Sequence, residues 1–271
     1  MQATASPRER GFSQSLERGL ALLSAFTSTR PLIGVSDLAR EVGLSRSSAH
    51  RYIATLAALG YLEQDRPTRK YRLGPRVLDL GFSAINSMEL RQIALPDLQK
   101  LSDATGHTVN MAVLDGLDIL YVERCRSSSI GQREIDLNLH VGSRLPAYCT
   151  SMGKVLLAGL SPEELDERLV SIELSRRGPN TIVGVKALVQ ELDRVRDEGL
   201  AVNNEELAYG LRSIAAPVRG QEGTVIAAIN LAVHRSLVSM EDLLARLGPR
   251  LRTTAREISA RSGYRPPAQD G

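Results

Sequence analysis

Apolar positions in the first third of the chain recur at helical spacing, then switch briefly to strand spacing. Leu16, Leu20, Leu23 and Phe26 form one stripe, which predicts an amphipathic helix over residues 13–26. A short helix over 36–42 follows, then the turn Gly43-Leu44-Ser45. Beyond it Ala49, Tyr52, Ile53, Leu56 and Leu59 share a helical face, with Ser45 as N-cap and Gly60 as stop. Tyr61-Leu62-Glu63 and Lys70-Tyr71-Arg72-Leu73 read as two strands, joined by the turn-rich tip Asp65-Arg66-Pro67-Thr68-Arg69. Helix, turn, longer helix and basic hairpin in unbroken succession are the layout of a winged helix-turn-helix.

After Gly74-Pro75 the pattern returns to helices, over 76–88 (Val77, Leu78, Leu80, Ile85) and 90–105 (Ile93, Leu98, Leu101). From Thr108 the period becomes two: Val109, Met111 and Val113 alternate, Asp115-Gly116 turns, and Ile119 and Tyr121 continue. A further strand is expected over 133–141 and an extended run over 144–148. Helices are expected over 151–159, 162–171 and 186–199, strands over 201–205, 212–218 and 224–233, and a last helix over 239–262. The fold class is therefore α+β, with a mainly antiparallel sheet packed by helices in the second half. The expected division is an arm (1–12), a winged helix-turn-helix (13–75), linker helices (76–105), a second domain (106–263) and a polar tail (264–271).

Charge sharpens this picture. Residues 1–75 hold 11 Lys+Arg against 6 Asp+Glu, a surplus of five, and the other 196 residues hold 23 against 25. The surplus thus lies with the helix-turn-helix, as attraction to phosphate requires. On the polar face of its second helix stand Arg46, Ser47, Ser48, His50, Arg51 and Thr55, short donors and guanidiniums able to approach base edges, with Ser45 at the helix start. Arg66, Arg69 and Lys70 on the wing are suited to phosphates. Two cysteines, Cys125 and Cys149, make neither a disulfide framework nor a four-thiolate zinc site. No apolar run approaches about 18 residues, so no membrane span is expected and the protein reads as soluble and cytoplasmic.

In the second domain residues 137–158, LNLHVGSRLPAYCTSMGKVLLA, carry a strand through Gly142 and Pro146 into a helix opening at Thr150-Ser151-Met152-Gly153. The first amides of that helix suit a carboxylate, with Gly153 permitting close approach and the hydroxyls of Thr150 or Ser151 assisting; plain capping by either hydroxyl is the alternative. Ser151 and Lys154 match the Ser-x-x-Lys spacing of certain hydrolases. Neither SDN nor KTG accompanies it, and Lys154 reads as a surface lysine. The histidines His50, His107, His140 and His234 lack metal-ligand spacing, and no phosphate loop is present, so no cofactor is expected. Glu205 and Glu206 read as exposed edge carboxylates. Arg124 and Arg126 read either as anion contacts or as a solvated strand end.

Together Leu44-Ser45-Arg46-Ser47-Ser48-Ala49-His50-Arg51, Leu59-Gly60-Tyr61-Leu62, Gly153-Lys154-Val155-Leu156-Leu157-Ala158, Asn203-Asn204-Glu205-Glu206 and residues 210–218 resemble the IclR family of bacterial transcriptional regulators, over about 13–262. The resemblance implies a DNA-binding winged helix-turn-helix joined to a GAF-like effector domain. It implies homodimers or homotetramers, and a non-enzymatic sensor of small organic acids. The implied pocket has Ser151 and Met152 at its edge, Asn203, Ser213 and Asn230 as its polar floor, and Leu137 in a wall. Relatives that take very small keto acids carry Asp and Cys where Asn203 and Ser213 stand here. Residues 141–153 are most similar to the branch controlling protocatechuate, 4-hydroxybenzoate and β-ketoadipate metabolism, which implies a small aromatic acid as effector.

Overall fold

The computed structural model describes residues 12–27, 29–86, 88–127 and 139–265. The chain separates into two compact units, one ending at residue 87 and the other beginning at Met88.

The N-terminal unit is built on α1 (Gln14–Ser24), α2 (Val35–Glu41), α3 (Arg46–Ala58), the hairpin β1 (Leu62–Gln64) and β2 (Tyr71–Leu73), and α4 (Arg76–Asn86). Ser45 caps α3 as expected, its Oγ accepting from the Ser48 amide at 3.2 Å. Gly43 and Gly60, both at positive φ, turn the chain on either side of that helix. Leu22, Ile33, Leu38, Ala49, Ile53 and Leu62 fill the core. Ile33 exchanges backbone hydrogen bonds with Tyr71, which ties the segment before α2 to the wing. The predicted stripe of α1 is rotated by roughly a quarter turn at 100° per residue. Leu22, Ala25 and Phe26 are buried, while Leu16 and Leu20 are 64% and 55% exposed. Leu59, expected in the core, closes α3 and is exposed.

The C-terminal unit begins with α5 (Glu89–Thr105), β3 (Thr108–Asp115) and β4 (Asp118–Cys125). Next come β5 (Arg144–Pro146), a single 3-10 turn (Ala147–Cys149), α6 (Ser151–Ala158), α7 (Pro162–Leu169) and α8 (Val185–Glu198). Strands β6 (Ala201–Asn204), β7 (Leu211–Arg219) and β8 (Val225–His234) follow. The closing helical stretch is α9 (Met240–Asp242), a wide turn (Leu243–Leu247) and α10 (Gly248–Arg261). The described strands make a six-stranded antiparallel sheet in the order β5-β4-β3-β8-β7-β6. Strand alternation sends Val109, Met111, Ile229 and Leu231 to one face, against Leu98 and Leu101 of α5 and Leu251 and Ile258 of α10. The other face packs beneath α6 and α8. The strand expected over 133–141 falls mostly outside the described residues, and 139–141 are not strand. The single helix expected over 239–262 is interrupted by the wide turn at Leu243–Leu247.

Candidate DNA-reading surface and effector cleft

On α3, Arg46, Ser47, His50 and Arg51 are exposed, together with Arg66, Arg69 and Lys70 on the wing. Those five arginines and lysines make no ion pair with another described residue, whereas Arg30, Arg40 and Arg72 in the same unit are matched by Glu41, Asp37 and Glu63. The five cations that the sequence assigned to nucleic acid are thus all unmatched by carboxylates, as are Arg18 and Arg76. Ser45 and Ser48 are partly committed to the cap, their hydroxyls 3.0 Å apart. At the wing tip the Asp65 carboxylate accepts from the amide and hydroxyl of Thr68 and fixes the turn, with Arg69 at positive φ. Those hydrogen bonds hold the Asp65 carboxyl below its ordinary value.

In the C-terminal unit one sheet face changes character along its strands. Ala112, Ala228, Ala215 and Ala201 lie in the apolar cluster beneath α6. Two residues further along the same face stand Asn110, Asn230, Ser213 and Asn203. Small alanines let α6 sit close; the polar positions beyond its first turn are left facing a cleft. That cleft opens to solvent, and its cavity volume is about 50 Å³. Tyr121, Leu207 and Leu211 supply carbon surface to it, and Arg124 and His234 stand at its lining.

The floor is a hydrogen-bonded row. Asn110 Nδ2 donates to Asn230 Oδ1 at 2.8 Å, and the Arg124 guanidinium donates to Asn110 Oδ1 at 3.1 Å. Ser213 on β7 meets Ser151 at the start of α6, hydroxyl to hydroxyl, at 2.7 Å. Asn203 Nδ2 donates to the Cys149 carbonyl at 2.8 Å, and its Oδ1 accepts the Glu206 amide at 3.1 Å. Burial pushes the Tyr121 phenol up to about 12, so it stays a neutral donor.

Four of the residues assigned to the pocket, Thr150, Asn203, Ser213 and Asn230, line this cleft. Ser151, Met152 and Gly153 are buried at the adjoining helix start without lining it, and Leu137 lies outside the described residues. Two readings of this stretch are corrected. Gly153 makes room for backbone: a Cβ there would stand 2.1 Å from the Ala147 carbonyl oxygen. Its amide is already capped by Thr150 Oγ1 at 3.0 Å. Lys154 is no surface lysine; it is 1% exposed and bonds Glu206 at 2.7 Å and Glu191 at 2.9 Å. Its ammonium thus faces two carboxylates while Ser151 faces Ser213, so the Ser-x-x-Lys pair is not a nucleophile with its base. Glu205 and Glu206, expected at an exposed edge, are buried as well. Glu205, at positive φ, accepts from the Gly210 amide and from Arg235, whose guanidinium stacks 4.6 Å over Tyr209. Sequence reasoning passed over Asn110, although a polar residue at an inward strand position was the available signal. Among the described residues no group of three metal-binding side chains is present, and no helix is long and apolar enough to cross a membrane.

The IclR C-terminal family of bacterial transcriptional regulators matches residues 82–260, and the IclR helix-turn-helix domain matches residues 15–66. The chain belongs to the IclR family. It is a DNA-binding transcriptional regulator, and its relatives are regulators rather than enzymes. It is 38% identical to the Pca regulon regulatory protein of Pseudomonas putida, over 91% of this chain and 83% of that protein. It is 35% identical to the p-hydroxybenzoate hydroxylase transcriptional activator of Acinetobacter baylyi, over 93% and 92%. Among solved structures, an IclR homologue from Microbacterium hydrocarbonoxydans complexed with 4-hydroxybenzoate superposes with a TM-score of 0.77. Identity is 28%, covering 92% of this chain and 99% of that one.

Proposed function

We propose that this IclR-family regulator is cytoplasmic, senses a small aromatic carboxylic acid, 4-hydroxybenzoate or protocatechuate, and controls an operon for aromatic-acid catabolism. The observation that carries the reading is the half-polar sheet face, where amide and hydroxyl side chains adjoin a carbon-walled cleft at the start of α6. A flat acid with a ring hydroxyl matches that division. Its carboxylate takes the end of the cleft at Thr150, beside the start of α6, its ring the wall of Tyr121, Leu207 and Leu211, and its hydroxyl Asn203 or Ser213. Two of the relatives support the choice of acid, through the p-hydroxybenzoate named for one and the bound 4-hydroxybenzoate of the other.

On the DNA side, Ser45, Arg46, Ser47, Ser48, His50 and Arg51 address the major groove, and Arg66, Arg69 and Lys70 hold phosphates. The working form is a homodimer or homotetramer presenting paired readers to two half-sites. The domain division proposed is 13–75 for the reader, 76–105 for linker helices and 106–263 for the effector domain. Calorimetric titration of the full chain with both acids tests the effector. Saturable heat with at least one is expected, and no heat with either removes the aromatic-acid reading.

A further inference from the structure

Lys154 is the most deeply buried charged side chain among the described residues, and it belongs neither to the DNA surface nor to the cleft lining. It sits in the middle of α6, whose eight residues are all buried. A methionine there would avoid taking an ammonium out of water, and buried ion pairs add little stability over apolar groups of equal volume. What such a pair does supply is fixed geometry. Its second carboxylate, Glu191, is independently matched by two Arg194 hydrogen bonds of 2.8 and 2.9 Å on α8. Glu206 has Lys154 as its cationic partner and belongs to the loop leaving β6.

That loop closes a ring of contacts. The Lys154 ammonium holds the Glu206 carboxylate at 2.7 Å, the Glu206 amide holds Asn203 Oδ1, and Asn203 Nδ2 holds the Cys149 carbonyl. From Cys149 the chain runs through Thr150 into α6, where the Lys154 amide donates to the Thr150 carbonyl at 3.0 Å. The outer side of the loop is pinned as well. Thr181 Oγ1 donates to the Glu206 carbonyl at 2.6 Å, and Gly178 lies so close that a Cβ would stand 2.2 Å from the Glu205 carbonyl oxygen. Asn203 is thereby oriented by backbone that the buried charge pair holds from the α6 side and Thr181 from the outer side.

We propose that Lys154 is a positioning residue for the effector cleft: through Glu206 it holds the Asn203 amide against the start of α6. The inference rests on the reading of this cleft as the effector site. Asn203 retains one N–H and one lone pair beyond those contacts, and their aim depends on the ring.

The test uses the full chain and the double variant Lys154→Met/Glu206→Gln, which removes both charges of the link and leaves Glu191 matched by Arg194. Its urea midpoint should stay near that of the wild type, while its affinity for 4-hydroxybenzoate falls by about tenfold. Asn203→Ala should lose a similar factor, and adding it to the double variant should cost nothing further, because contacts acting in series are not additive. Losses that multiply, or full affinity in the folded double variant, overturn the proposal. Should the double variant not fold, Glu206→Gln alone, with Lys154 still paired to Glu191, carries the same cycle. Should wild type bind neither acid, the aromatic-acid reading fails. The proposal is then decided by hydrogen exchange. The Glu206 amide should exchange faster in the double variant with α10 unchanged, and unaltered protection overturns it.

Discussion

At the scale of single residues, Gly153 stands where no side chain fits. A glycine opening a helix beside a proposed ligand invites a functional reading, yet its space is taken by the 3-10 turn at Ala147–Cys149. Gly153→Ala should therefore destabilise the C-terminal unit by about 2–4 kcal/mol, because backbone cannot yield as a side chain can. Urea unfolding measures it, and a loss below about 0.5 kcal/mol would show that the turn relaxes. Lys154, Glu205 and Glu206 were read as exposed because charged residues usually are; their partners lie up to 52 positions away, out of reach of local pattern. The cysteines give a second prediction. Burial, the largest cause, pushes both Cys125 and Cys149 up to about 11 from the ordinary 9.0. At pH 8 the folded protein should resist alkylation at both thiols, and urea should expose both, as read by mass spectrometry. Rapid labelling of native Cys149 would contradict this. Because the folded-state pKa lies above the unfolded one, the associated stability is complete below pH 9 and is lost as pH rises toward 11.

Elements were legible where local chemistry decides them. Ser45, the stripe Ala49-Ile53 and Gly60 delimit α3, and Asp115-Gly116 turns β3 into β4, because caps and turns are local hydrogen-bonding problems. Helix α1 was found but its buried face was missed. Leu16 and Leu20 are as apolar as Leu22, and only the position of α3 selects among them. The cleft was hidden for a similar reason. Asn110 meets Asn230 across 120 residues, in a pairing of β3 with β8 that no hairpin turn announces, so its polar row emerges only with the register. The resemblance to relatives supplied Asn203, Ser213 and Asn230 but not Asn110. For α3 and the wing, the unmatched cations allow two kinds of contact to be separated. Arg51→Ala should weaken operator binding by at least about 1 kcal/mol, the scale of a specific base contact. Lys70→Ala should weaken all DNA evenly and flatten the slope of log affinity against log salt by about 0.9, one phosphate's worth. Gel-shift titrations over a salt series distinguish them. An unchanged affinity for Arg51→Ala removes that residue from the base-reading set.

For the molecule as a whole, the two units differ in what they can respond to. The basic surplus of residues 1–75 ties DNA affinity to ionic strength, while the cleft of the other unit is lined chiefly by neutral amides, hydroxyls and carbon. A regulator needs these two affinities to be linked, and linkage is reciprocal: if the acid changes operator affinity by some factor, the operator changes acid affinity by the same factor. Couplings of this kind amount to about 1–3 kcal/mol, or roughly 5- to 150-fold. The operator is first located by footprinting the promoter beside the gene. Its affinity is then measured with and without saturating 4-hydroxybenzoate, and acid affinity is measured with and without saturating operator, at one salt concentration and one protein concentration. Equal factors in the two titrations are the expected result, and their direction gives the sign of regulation. Two tight but mutually indifferent binding events would mean that the cleft reports nothing to the reader, since a ligand shifts an equilibrium only by its differential affinity for the two states. A shift in one titration alone would place a third equilibrium, assembly of the oligomer, between the acid and the DNA, and repeating the pair of titrations across protein concentration would expose it.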